Sequence, residues 1–188
     1  MARWEPGSRG RLQQAALELY TERGFDQTTV VEIAARAGLT ERTFFRHFSD
    51  KREVLFAGSE ELKDLLVATL DAAPASAAPL AAVATALAAA AALFQDRAEH
   101  VRRRQAVIAA NVELQERELI KMAGLSVALA DGLRRRGVSD PSASLTAEAG
   151  IAVFRVAFEQ WTRQGDPPDL AHRMREAFGT LRTVTAGA

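Results

Sequence analysis

Apolar residues recur along this chain at the three- and four-residue spacing of helix faces, and no stretch alternates with the period of a half-buried strand. Leu12, Ala15, Ala16, Leu19 and Tyr20 form the first stripe, which Gly24 is placed to end. Thr29-x-x-Glu32 has the form of a capping box, in which side chains satisfy the free N–H groups of a helix start. Val30, Ile33, Ala34 and Ala37 follow as the buried face of that second helix. Gly38 permits a sharp turn, and Thr40 opens a third helix with Leu39 and Phe44 set to staple across its cap. Asp50-x-x-Glu53 predicts the start of a fourth, whose stripe runs Val54, Leu55, Gly58, Leu62, Leu65, Leu66 and Leu70. Pro74 and Pro79 break the pattern there.

Beyond the break come an alanine-rich helix ending near Phe94 and another starting at Asp96-x-x-Glu99. A seventh runs through Leu114, Leu119, Met122, Leu125, Leu129 and Leu133. It closes on Arg134, Arg135 and Arg136, cations at the negative end of the helix dipole, followed by Gly137. Asp140-Pro141 opens the eighth, and Gly165-Asp166-Pro167-Pro168 separates it from a ninth over about 169–184. The expected fold class is all-α with about nine helices.

With 48% apolar and 26% charged residues the chain is expected to fold into a globule, and its zero net charge excludes a uniformly basic nucleic-acid coat. Charge is unevenly placed, however. Residues 1–52 hold nine Lys/Arg against seven Asp/Glu, a bias that matters only where a motif supports it. The absence of cysteine removes disulfides and thiolate chemistry. The uncharged stretch Ala72–Gln95 is mostly alanine with two prolines, which fits a buried helix better than a membrane span. No export signal is recognisable, so a cytoplasmic protein without a membrane partner is expected. The chain carries no H-E-x-x-H, P-loop, G-x-S-x-G or paired-carboxylate motif, so neither an enzyme nor a bound cofactor or metal is expected.

The informative stretch is 28–55. Two short helices joined by Ala37-Gly38-Leu39 must cross steeply, as in a helix-turn-helix. In the second, Phe44 and Phe48 lie four apart and can anchor it, which leaves Glu41, Arg42, Thr43, Arg46 and His47 on other faces. Such groups on a short helix suit the major groove of DNA, where Arg pairs with guanine and Thr meets phosphate or a thymine methyl. A merely solvated helix face fits the same pattern equally well.

The run Gly38-Leu39-Thr40-Glu41-Arg42-Thr43-Phe44-Phe45-Arg46-His47-Phe48-Ser49-Asp50-Lys51, after Thr28-Thr29-Val30-Val31-Glu32-Ile33-Ala34, resembles the signature of the tetracycline-repressor-like (TetR) family. Ala15, Ala16, Leu19, Tyr20 and Gly24-Phe25 fit that family's first helix, so the likeness covers about 12–55. It implies a helix-turn-helix DNA-binding domain over 1–52 and an effector-binding and dimerisation domain over 53–188. It implies that Thr40, Glu41, Arg42 and Thr43 face bases or nearby phosphates, and that Phe45, Arg46 and His47 lie along the DNA backbone. Lys51 would bind a phosphate, and Thr28 and Thr29 would offer a hydroxyl or N–H to another. Two departures stand out. Phe45 occupies a place where the family often has Tyr, which leaves ring packing only, and Val31 a place where a polar residue is common.

For the body, the resemblance implies a homodimer on palindromic double-stranded operator DNA and a small apolar or amphipathic effector. The eighth helix carries Ala147, Ile151, Phe154, Phe158 and Trp161, and the ninth Leu170, Met174, Ala177, Leu181 and Val184, each spaced 4-3-4-3. Such seams fit helix pairing, either within the chain or across a dimer through Ile151, Phe154, Phe158, Trp161, Met174 and Leu181. Leu66, Leu70, Leu87, Phe94, Val101, Ile108, Leu119 and Met122 are candidate pocket walls, and one arginine of Arg102-Arg103-Arg104, Arg104 being the candidate, could turn inward to an acidic head group. The fourth helix, from Lys51 to Leu66 and Leu70, would be the lever between DNA and pocket. The arginine run together with Ile108-Ala109-Ala110-Asn111 and Leu114 resembles actinobacterial regulators of the mycofactocin-regulator type.

Overall fold

The computed structural model describes residues 7–163 and 169–187. The expected break at Gly165-Asp166-Pro167-Pro168 lies outside the described residues. Among them are nine α-helices, one 3-10 turn and no strand. The helices are α1 (Ser8–Arg23), α2 (Val30–Arg36), α3 (Glu41–His47), α4 (Ser59–Asp71), α5 (Pro79–Gln95), α6 (Ala98–Ala109), α7 (Val112–Arg135), α8 (Ser142–Arg163) and α9 (Leu170–Ala186). No single helix among the described residues is long and apolar enough to cross a membrane.

The chain condenses into two compact units. Residues up to Ser59 join Arg103–Glu118 in the first, while Glu60–Arg102 and the residues from Leu119 onward make the second. The first core gathers Leu12, Ala16, Leu19 and Tyr20 of α1, Ile33 of α2, Phe44 and Phe48, and is completed by Val107, Ile108 and Leu114. That completion explains why the compact unit reaches past residue 52, where the change of role was expected.

The expected fourth helix is interrupted. A 3-10 turn over Glu53–Phe56 precedes α4, which restarts at Ser59 with Glu60 and Glu61 in its first turn. Val54, Leu55, Phe56 and Ala57 are all buried, so this segment is enclosed on every side. A continuous lever from Lys51 to Leu70 is therefore corrected to a turn and a separate helix.

In the second unit α8 packs on α9 and α5. Alanines on α5 (Ala82, Ala86, Ala90, Ala91) let it lie close to α8. The approach is closest at Gly150, where an added methyl group would come within 2.4 Å of Val83 Cγ1. Val83 is β-branched and fully buried, so it cannot swing away cheaply. Gly150→Ala should thus lose about 1–3 kcal/mol of stability, despite alanine's better helix propensity. Gly124, exposed in α7 with nothing within 4 Å of a new methyl, is the control. Gly124→Ala should gain about 0.5–1 kcal/mol. Urea unfolding of both variants checks the pair, and a Gly150→Ala protein as stable as the parent would contradict the close approach.

Candidate nucleic-acid interface

The caps predicted for α2 and α3 are present where the sequence places them, whereas Asp96, expected to open the sixth helix, instead ends α5. Thr29 and Glu32 form the reciprocal capping box, with the Thr29 N–H donating to Glu32 Oε2 at 2.8 Å and the Glu32 N–H to Thr29 Oγ1 at 3.3 Å. At the start of α3 the Thr43 N–H donates to Thr40 Oγ1 at 3.2 Å. Gly38 takes φ +65° between the two helices, a left-handed conformation that a side chain would strain. Phe44 is completely buried, its ring 5.5 Å from those of Phe45 and Phe48.

With Phe44 inward, Glu41, Arg42, Phe45 and Arg46 are exposed and Thr43 half-buried. The arginines of this unit differ in what occupies them. Arg23 pairs with Glu32, Arg36 with Glu18 and Glu22, and Arg52 with Asp50. Arg42 and Arg46 have no ion pair among the described residues. The mild basic bias of the N-terminal stretch thus becomes two uncommitted guanidinium groups on one short helix.

Four expected contacts are altered by the geometry. Thr28 is fully buried, its Oγ1 donating to the Gly24 carbonyl at 2.9 Å and its N–H to the Phe25 carbonyl at 3.2 Å. It holds the turn before α2 and has neither group left for a phosphate. The Thr29 hydroxyl, donating to Glu32 Oε2 at 2.7 Å, is likewise engaged within the cap. Lys51 Nζ donates to the carbonyls of Phe25, Asp26 and Thr28 at 2.9, 3.4 and 3.0 Å and lies 4.2 Å from the Phe25 ring centroid. It clamps the connection between α1 and α2 instead of standing free. His47 Nε2 lies 2.8 Å from Ser8 Oγ, tying the end of α3 to the start of α1. Tyr20, its phenol pushed above its ordinary value by burial and by Asp50, donates to the Lys51 carbonyl at 2.6 Å. Val31 is 58% exposed beside this surface.

The candidate pocket walls divide between the units. Leu66, Leu70, Leu87 and Val101 are buried in the second core, with Phe94 and Met122 partly buried against it. Ile108 belongs to the first core, and Leu119 is 52% exposed. Arg104 also belongs to the first unit, where its Nε–H donates to the Leu55 carbonyl at 2.6 Å. Ile108 and Arg104 are therefore corrected to parts of the first unit. An open groove of about 660 Å³ between α4 and α7 is lined by the charged Lys63, Asp64, Asp71, Asp131 and Arg135 and by the apolar Val67, Ala68, Val127 and Ala128.

Of the expected dimer seam, Ile151, Phe154, Trp161 and Met174 are corrected to core residues of the single chain, while Phe158 and Leu181, half-buried, keep exposed surface. The aromatic rings explain it, because Phe94 of α5 lies 6.1 Å from Phe154 and 5.6 Å from Phe158 and so covers that face of α8. A second stripe that sequence reasoning missed, Leu145, Ala149, Ala152 and Val156, runs along the other side of α8, with Leu145 66% and Val156 50% exposed.

Residues 12–57 match the family model described as bacterial regulatory proteins, tetR family, and residues 77–186, more than half of the chain, match the MftR C-terminal domain. The transcriptional regulator TcmR of Streptomyces glaucescens is 38% identical over 76 residues, 40% of this chain and 34% of that protein. The transcriptional activator FasR of Mycolicibacterium smegmatis is 39% identical over 59 residues, 31% of this chain and 27% of that protein. The chain thus matches about a third of the length of these curated relatives. Among solved structures, FadR from Bacillus subtilis in complex with stearoyl-CoA superposes with a TM-score of 0.65 at 18% identity, covering 92% of this chain and 96% of that one. SmeT, the repressor of a Stenotrophomonas maltophilia multidrug efflux pump, gives 0.61 at 20%, covering 91% and 86%. At such identities the superpositions establish the shared fold.

Proposed function

The chain belongs to the TetR family of bacterial regulatory proteins, and on that footing we propose that it is a cytoplasmic, sequence-specific DNA-binding transcription regulator: a repressor released from a palindromic operator by a small apolar or amphipathic ligand. The observation that carries this reading is the surface of α3, where Arg42 and Arg46 stand exposed and uncommitted on a helix whose other face is pinned by Phe44. Residues 1–52 supply the DNA contacts, with Glu41, Arg42, Thr43, Phe45 and Arg46 presented to the major groove and its flanking phosphates. Residues 53–188 sense the ligand and pair two copies, through the α8 stripe of exposed Leu145, Ala152 and Val156 and half-buried Ala149. The liganded FadR supports an amphipathic effector by its stearoyl-CoA, and the Ala- and Leu-rich second core supports an apolar ligand surround.

Sequencing DNA fragments retained by the purified protein tests this. Retained fragments should share a palindrome with half-sites centred about one helical turn apart, and should bind the chain in even numbers. Thr43→Ala and Arg46→Ala should each weaken that operator by about 1–3 kcal/mol. A variant that lost a phosphate contact should also show a salt dependence shallower by about one unit. Thermal stability should change by less than about 0.5 kcal/mol in both, since neither side chain is core. Retention without shared sequence, with both variants binding as the parent does, would leave α3 as a solvated face.

A further inference from the structure

We propose that the second unit contains a carboxylate-binding site built from Arg102 and Trp161, so that the effector is an amphiphile with an anionic head group. This inference rests on the reading of the second unit as ligand-sensing, and it names the ligand's chemistry.

Trp161 is completely buried, and its indole Nε1–H has no hydrogen-bond partner. Arg102 stands over the same ring, its guanidinium carbon 5.4 Å from the centroid, and its own Nε–H is buried and unpartnered as well. Buried polar groups are nearly always satisfied, and leaving one unmade costs about 1–3 kcal/mol. Two such groups on residues in ring contact can be satisfied by one shared partner. Both are donors, so that partner is an acceptor. The guanidinium charge makes an anion the best acceptor, and its planar, forked donors suit a carboxylate. A cationic ligand is excluded by the same charge.

The apolar remainder of the ligand has a matching surface. Phe158 lies 5.9 Å from Trp161, and Phe154 and Phe94 continue the aromatic row. Phe94 and Phe158 are half-buried, so the row runs from the protein surface to the two unpartnered donors. An alkyl or aryl tail lying along these rings would bring its head group to Arg102 and Trp161. Arg104, the other inward arginine of the run, does not compete for this role, since the Leu55 carbonyl and Glu118 occupy it.

Calorimetric titration of the full chain with decanoate and with 1-decanol, equal in tail and different in head, tests the site. Decanoate should bind about tenfold or more tightly than decanol, as expected for a charge-assisted hydrogen bond. Arg102→Gln and Trp161→Phe should each weaken decanoate by about tenfold while leaving decanol within about twofold. Arg102→Lys, which keeps the charge and loses the fork, should fall between the parent and Arg102→Gln. Thermal melts identify a variant that fails to fold, and the remaining variants then decide. Equal binding of the two compounds, decanoate affinity indifferent to the substitutions, or no binding of either overturns the site. The effector reading is decided separately, by whether apolar compounds release the protein from DNA.

Discussion

Phe44→Ala should destabilise the first unit by about 3–5 kcal/mol and abolish operator binding, although Phe44 touches no DNA. The side chain is fully buried and packs edge-on to Phe45 and against Phe48. Its removal deletes apolar contact and leaves a cavity that a seven-residue helix cannot close by itself. A helix this short has no independent stability in water, so its geometry depends on the Thr40 cap and on this anchor. The loss would consume a large part of a domain's ordinary margin of about 5–15 kcal/mol. Phe45→Ala is the contrast: that ring is 51% exposed, and its loss should cost under about 1.5 kcal/mol. Urea unfolding monitored by circular dichroism, alongside operator titration, separates the two. A Phe44→Ala protein that unfolds with the parent's midpoint would mean that α3 is not held by this residue.

Local chemistry was the most legible part of the molecule. Thr29, Glu32 and Thr40 act on backbone groups within three residues, so spacing alone identifies their roles, and each cap forms as read. The non-local commitments were not legible. Lys51 reaches carbonyls 23 to 26 residues away, and nothing near it in the chain shows that its charge is already engaged. Thr28 resembles its neighbour Thr29 in sequence, yet one hydroxyl is buried in a turn and the other caps a helix.

The 4-3-4-3 seam of α8 shows a second limit. Its period is real, but a period cannot say whether the covering helix belongs to the same chain or to another. The answer depends on α5, whose Phe94 and small residues fit that face. With the strong seam inward, a weaker stripe through Leu145 and Val156 is left exposed on α8. A helix apolar on two sides hides its second face in any single-stripe reading. The arginine run has the same ambiguity. All three residues read as a solvated patch or as one inward charge, whereas Arg102 and Arg104 turn inward in different units.

Arg104→Met should lower stability by about 2–3 kcal/mol and, more tellingly, uncouple ligand from DNA. The Arg104 Nε–H holds the Leu55 carbonyl in the 3-10 turn, its guanidinium lies 5.0 Å from the Phe56 ring centroid, and Glu118 stands 3.7 Å from NH1. Burial pulls this guanidinium below its usual pKa and Glu118 opposes the shift, so the charge is kept by its partner. Removing it leaves the Leu55 carbonyl without this donor and Glu118 without its charged partner, with the Gln105 amide still donating to that carboxylate. The functional consequence follows from continuity of α6. Arg102 and Arg104 are two residues apart on α6, so the proposed ligand contact and the hold on the 3-10 turn share one helix. In the parent, a coupling of about 1–3 kcal/mol would let ligand weaken the operator by about five- to 150-fold. In Arg104→Met that factor should shrink to within about threefold, while decanoate still binds as it does to the parent, because Arg102 and Trp161 are untouched. Operator titrations with and without saturating decanoate measure it directly. A variant that retains the full ligand-dependent loss of DNA affinity would place the coupling elsewhere than in α6.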